Sequence, residues 1–150
     1  MKLAAICYAA FLTAALIVYR PAQATELDDL IPVEMLWVET EGTRISVTGK
    51  DVQGIGADWD SALEDLERTA AGTVFLETVE RIAVAEEAAA CLPQMLQDTR
   101  LRPSVQLYLL RGAPSESLEP FAKAHPSEAT AERPVELPVI IEEKGRYYLG

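Results

Sequence analysis

The chain is poor in the residues that build reactive centres. It holds a single histidine, His125, so no second imidazole is at hand to complete a metal site or to serve a nucleophile as base. Of its two cysteines, Cys7 lies in an apolar N-terminal run, which leaves Cys91 with no disulfide partner in the rest of the chain. Cys91 follows an alanine run and has no histidine or basic neighbour to lower its pKa, so it reads as a buried structural thiol. No G-x-S-x-G elbow positions a serine for attack. Basic residues are also scarce: 13 Lys and Arg stand against 24 Asp and Glu, a formal net charge of -11. No Lys/Arg cluster occurs, which removes the electrostatic footprint needed for phosphate backbones or anionic lipid heads and excludes nucleic acid as a partner.

The acidic residues present do not assemble a site in the sequence either. Pairs such as Asp28-Asp29, Glu86-Glu87 and Glu142-Glu143 are adjacent, point apart on any regular element, and lack the spacing of a calcium loop. They read as solvated surface. Gly54-Ile55-Gly56 precedes a helix, but it lacks the third glycine and the preceding parallel strand of a phosphate cradle, and Asp58 beside it repels anions. Neither a cofactor nor a metal is implied.

What is present is enough apolar material for a core: 49% of the 150 residues are apolar, 25% are charged, and Gly and Pro number 8 and 9. That length fits one domain once an N-terminal segment is set aside. Lys2, the apolar run 3–19, Pro21 and the small-x-small triplet Ala22-Gln23-Ala24 have the order of a signal peptide. Residues 1–24 are thus expected to be a signal peptide, or an uncleaved N-terminal anchor, since the run is just long enough to span a bilayer. Cleavage would remove Lys2 and Arg20 and take the net charge from -11 to -13.

In residues 25–150, the segments 33–39 (VEMLWVE) and 43–50 (TRISVTGK) are β-prone and predict a hairpin turned at Glu41-Gly42. Gly54 and Gly56 mark a loop between residues 50 and 58. Trp59, Ala62, Leu63 and Leu66 follow helical spacing, with Ser61 and Glu64 at capping-box spacing and Gly72 past the end. Residues 79–84 predict a strand, and a helix after it begins with Glu86 and Glu87, where the helix dipole favours acids. Pro93 should kink or restart that helix. Residues 104–110 (SVQLYLL) are apolar on both faces and predict a central strand. A short helix opening at Pro114, a polar linker over 126–134, and a hairpin of 139–141 and 146–149 turned at Lys144-Gly145 complete the chain. The expected fold class is α/β (α+β): one small domain with a mixed sheet and about three helices. Leu63, Leu66, Ile82, Val84, Leu96, Leu107 and Leu109 are expected in its core.

Residues 58–112 resemble the N-terminal domain of the Ger(x)C family, the C subunits of spore germinant receptors. The resemblance lies in WDSALEDLERT, the pair Phe75-Leu76, the strand ERIAVAEE, the arginine-bounded Asp segment from Asp98 to Arg102, and LYLLRG. The end, LPVIIEEKGRYYLG, is similar to the segment through which the family enters its next domain. Family members also carry a lipidated cysteine after the signal, and no cysteine stands there in this chain. The resemblance implies that residues 25–150 form a Ger(x)C N-terminal-like domain. It further implies a non-enzymatic role in spore germination through contact with membrane receptor subunits, at the extracytoplasmic face of the spore inner membrane. Membrane proximity would come from the N-terminal segment or from the partner. The alternative is a small exported envelope binding or assembly protein unrelated to germination. Of the aromatic residues Trp37, Trp59, Tyr108, Tyr147 and Tyr148, most are expected in the core by their spacing, and Tyr147, Tyr148 and Trp37 are the candidate interface.

Overall fold

The computed structural model describes residues 29–150 and, ahead of them, Cys7. The expected signal or anchor segment, residues 1–24, lies outside this range apart from Cys7. The compact unit Ile31–Gly150 carries the fold considered below. Its elements are β1 (Leu30–Pro32), β2 (Met35–Glu41), β3 (Arg44–Thr48), β4 (Gln53–Gly56), α1 (Trp59–Thr69), β5 (Thr73–Phe75) and β6 (Arg81–Ala85). They continue with α2 (Leu92–Leu96), β7 (Gln106–Arg111), α3 (Leu118–Ala124), β8 (Val139–Glu143) and β9 (Arg146–Leu149).

Seven strands form one sheet in the order β4-β3-β2-β6-β7-β8-β9, and β1 pairs with β5 separately. The centre of the large sheet is parallel, β2 on β6, β6 on β7 and β7 on β8, while β3 and β4 on one side and β9 on the other join antiparallel. The result is the expected mixed sheet with three helices in a single small domain. Both hairpins turn where predicted. Gly42 has φ 63°, and Lys144 and Gly145 have φ 52° and 76°, the paired positive values of a type I′ turn.

Alternation along each strand divides the core in two. On one face Leu36, Val38, Val47, Ile82, Val84 and Leu107 meet α1 and the segment from 86 to 96. On the other, Met35, Ala83, Tyr108, Leu110 and Ile140 meet Leu118 and Ala122 of α3. β7 is buried on both sides at its centre, with Leu107 and Tyr108 each 0% exposed, which is why residues 107–110 are apolar on both faces. Leu63, Leu66, Ile82 and Val84 are likewise fully buried, whereas Leu96 and Leu109 are only partly covered.

Five expectations about elements are corrected. The segment containing Gly54 and Gly56 is strand β4 rather than a loop. Its glycines are there because α1 lies directly on it: a Cβ on Gly54 would overlap the Ala62 carbonyl oxygen and the Leu66 amide nitrogen. The cap of α1 is Asp58, whose Oδ1 accepts the Ser61 N–H at 2.9 Å, in place of the Ser61/Glu64 box. The helix expected at Pro114 starts at Leu118. The segment 126–134 is also more than a polar linker. Leu107 N–H donates to the Ala129 carbonyl at 2.9 Å and Ala131 N–H to that of Val105 at 3.1 Å, so it lines the first half of β7, whose second half pairs with β8. Buried Ser127 fixes this segment by donating its hydroxyl to Leu107 O at 2.8 Å. The helix expected to begin with Glu86 and Glu87 is instead a 3-10 helix, Glu86–Cys91, and an α-helix restarts at Leu92 with Pro93 in its first turn, as expected of that proline.

A polar bracket holds α1 to the segment after α2. The indole N–H of Trp59, which is fully buried, donates to Asp98 Oδ2 at 2.8 Å, and Arg100 reaches the same oxygen at 2.8 Å. Burial pushes the Asp98 carboxyl up, but hydrogen bonds from Arg100 and Trp59 outweigh it and hold its pKa below the ordinary carboxylate value. A depressed folded-state pKa stabilises the fold above the unfolded value of about 3.9, and that contribution fades as pH falls through the folded value. Asp98→Ala strands the buried indole donor and is expected to cost about 1 to 3 kcal/mol at pH 7. The acid limb of its pH–stability curve should also be shallower than that of the unsubstituted protein. Chemical denaturation at pH 7 and at pH 3 measures both effects.

Candidate functional site

The three aromatic candidates fall in different settings. Trp37 stands on β2, half-buried, on the sheet face covered by α3. Tyr147, on β9, faces the same side: its ring packs on Phe121 with centroids 5.8 Å apart, and its hydroxyl lies 3.0 Å from both Ala113 O and Ser115 Oγ. It therefore ties the last strand to the loop leading into α3. Tyr148 points to the opposite face and is 47% exposed, beside Leu149 at 50%. The structure thus places Trp37 and Tyr147 on the same face, against the same cluster, and sends Tyr148 to the other.

The two edges of the sheet are finished differently. On β4 the outward groups are occupied by α1: Ile55 N–H donates to Asp65 Oδ2 at 2.9 Å, and the Thr69 hydroxyl donates to Gln53 O at 3.0 Å. The Ile55 amide is the foremost cause holding the Asp65 carboxyl below its ordinary pKa, with Arg68 adding to it. On β9, Gly150 N–H donates inward to Val139 O at 2.8 Å. In an antiparallel pair, residues alternate between bonding to the partner and facing away. With Tyr148 opposite Ile141, this register turns the N–H and C=O groups of Tyr147 and Leu149 outward. Among the described residues no strand pairs with that side of β9. An edge with two exposed apolar side chains and free backbone groups can accept a further strand.

A second feature was not legible in the sequence. Between β2 and α3 lies a cleft of about 470 Å³ lined by Trp37, Lys50, Glu116, Glu119, Pro120 and Lys123. It adjoins a hollow of about 250 Å³ bounded by Pro32, Glu34, Met35 and again by Lys50 and Glu119. These residues are separated by as many as 91 positions, and only the placement of α3 over the sheet brings them together. Their spacing carried no signal.

The reactive side chains do not converge. Burial pushes the Cys91 thiol up to about 11, so it is protonated at neutral pH and a poor nucleophile. His125 stacks on Phe121 with centroids 4.3 Å apart, its Nδ1 lying 2.9 Å from Phe121 O. Among the described residues no three His, Cys, Asp or Glu side chains are grouped as metal ligands, and no helix is long and apolar enough to cross a membrane. No family, curated protein or solved structure matches the chain.

Proposed function

We propose that this protein is a non-catalytic, exported binding domain that takes up a strand of a partner protein along β9. The observation that supports this reading is the contrast between the two sheet edges. α1 closes β4 with Asp65 and Thr69, whereas β9 offers the outward backbone groups of Tyr147 and Leu149 flanked by exposed Tyr148 and Leu149. Closed edges are how soluble sheets avoid adventitious pairing, so an open apolar edge favours a partner. The resemblance of residues 58–112 to Ger(x)C domains supplies the partner's class: a membrane subunit of a spore germinant receptor, met at the extracytoplasmic face of the membrane.

Leu149→Pro tests the edge because it deletes an outward N–H while leaving the ladder to β8 intact, as proline is tolerated at sheet edges. The variant is expected to keep its thermal midpoint within a few degrees and to lose at least about tenfold in recovery of receptor subunits from spore membranes, roughly 1.4 kcal/mol. Tyr148→Ser should weaken capture without unfolding, whereas Tyr147→Ser should destabilise the domain, since its hydroxyl is bonded internally. Undiminished capture by Leu149→Pro would refute the edge. Capture of other envelope proteins, with no receptor subunit among them, would favour the envelope-assembly role over germination.

A further inference from the structure

We infer that the cleft between β2 and α3 is a binding site for a small zwitterion, a molecule carrying an ammonium and a carboxylate on an apolar or flat body. The inference is separate from the β9 edge and rests on the charges of the cleft.

Arg68, Arg81, Arg100 and Arg111 each have a carboxylate within ion-pair distance. Lys50 and Lys123 have none, although Glu116 and Glu119 line the same cavity, and none of these four side chains makes a hydrogen bond or ion pair among the described residues. Both signs therefore line one concave space with no ion pair between them among the described residues. Residues 25–150 contain only three lysines, Lys50, Lys123 and Lys144, and two of them face this cleft.

The remaining wall is apolar. Trp37 presents a half-buried indole beside Pro120, and its N–H has no acceptor among the described hydrogen bonds, unlike that of Trp59. A cavity of this size falls within the range of small-molecule sites, which are mostly apolar with a few polar groups fixing orientation. A ligand carboxylate would meet Lys50 and Lys123, and an ammonium would meet Glu116 and Glu119 or the indole face. Lys50 and Glu119 border both the cleft and the adjoining hollow, so a longer zwitterion could extend past them. A ligand of single charge would leave one set of side chains desolvated and unpaired, a cost that a zwitterion avoids.

Calorimetric titration with two probes of different charge separation, L-phenylalanine and 6-aminohexanoate, tests this on the protein carrying residues 25–150. At least one is expected to bind with a dissociation constant below roughly 10 mM, a weak but measurable affinity. N-acetyl-L-phenylalanine and L-phenylalanine amide, each lacking one charge, serve as comparators if the amino acid binds; 6-acetamidohexanoate and 6-aminohexanamide do so for the longer probe. Each blocked form should bind at least about tenfold more weakly than its parent. Lys50→Met and Glu119→Gln, at the surface of the cleft, should each weaken the parent zwitterion by a similar factor with the thermal midpoint retained. Absence of binding by both zwitterions overturns the assignment. So does equal binding of the blocked forms, which would mean that the wall reads only the apolar body.

Discussion

Gly54→Ala is expected to be among the most destabilising single substitutions in this protein, although it adds one methyl group. The new Cβ would fall on the Ala62 carbonyl oxygen and the Leu66 amide nitrogen, and both belong to the backbone of α1. A flexible side chain can turn aside, but a helix backbone moves only as a unit. Relief requires α1 to lift from the sheet and to uncover Trp59, Leu63 and Leu66, all 0% exposed. Overpacking of well-packed interiors costs about 1 to 3 kcal/mol, and a clash with main chain belongs at or above the upper figure. Against a typical total of about 5 to 15 kcal/mol, that shifts the urea midpoint strongly. Gly42→Ala is the internal comparison: nothing lies within 4 Å of its Cβ and only a φ of 63° is strained, so a loss of about 1 kcal/mol is expected. Equal midpoints for the two variants would show that α1 does not press on β4.

Leu107→Ala should cost about 2 to 5 kcal/mol, because it leaves a cavity that the sheet cannot close. Leu107 is 0% exposed, lies opposite Ile82 in the β6 ladder, and has backbone bonded to the segment at Ala129 as well. Three elements fix its position, so none can collapse into the space. Leu109, two residues along on the same face, is only partly covered, and Leu109→Ala should cost distinctly less. Thermal or urea unfolding of the two variants side by side measures the difference. If Leu107→Ala left stability unchanged, the first half of β7 would have to lie outside the core.

Elements whose patterns are local were legible. The Glu41-Gly42 and Lys144-Gly145 turns, the α1 periodicity of Trp59, Ala62, Leu63 and Leu66, and the doubly apolar β7 each depend on neighbours within one turn or strand. β4 was misread because its glycines are explained by a helix lying on them, and Gly-x-Gly by itself signals a loop. Segment 126–134 was misread for a related reason: its polar composition hides the fact that Ala129 and Ala131 bond to β7. Tyr147 and Tyr148 were legible as a notable pair, but strand alternation sends one ring to α3 and the other outward.

The sequence by itself determined that the chain can bury a core, that the fold is a mixed sheet with three helices, and where its two tight hairpins turn. These follow from composition, period and the backbone needs of glycine, all local quantities. Only the tertiary structure decided which edge of the sheet is closed and that Trp37, Lys50, Glu116, Glu119 and Lys123 share one cleft. Edge closure depends on Asp65 and Thr69 of α1 reaching the backbone of β4, and the cleft depends on where α3 crosses the sheet. Both are set by packing between elements distant along the chain, and no sequence spacing encodes such a distance.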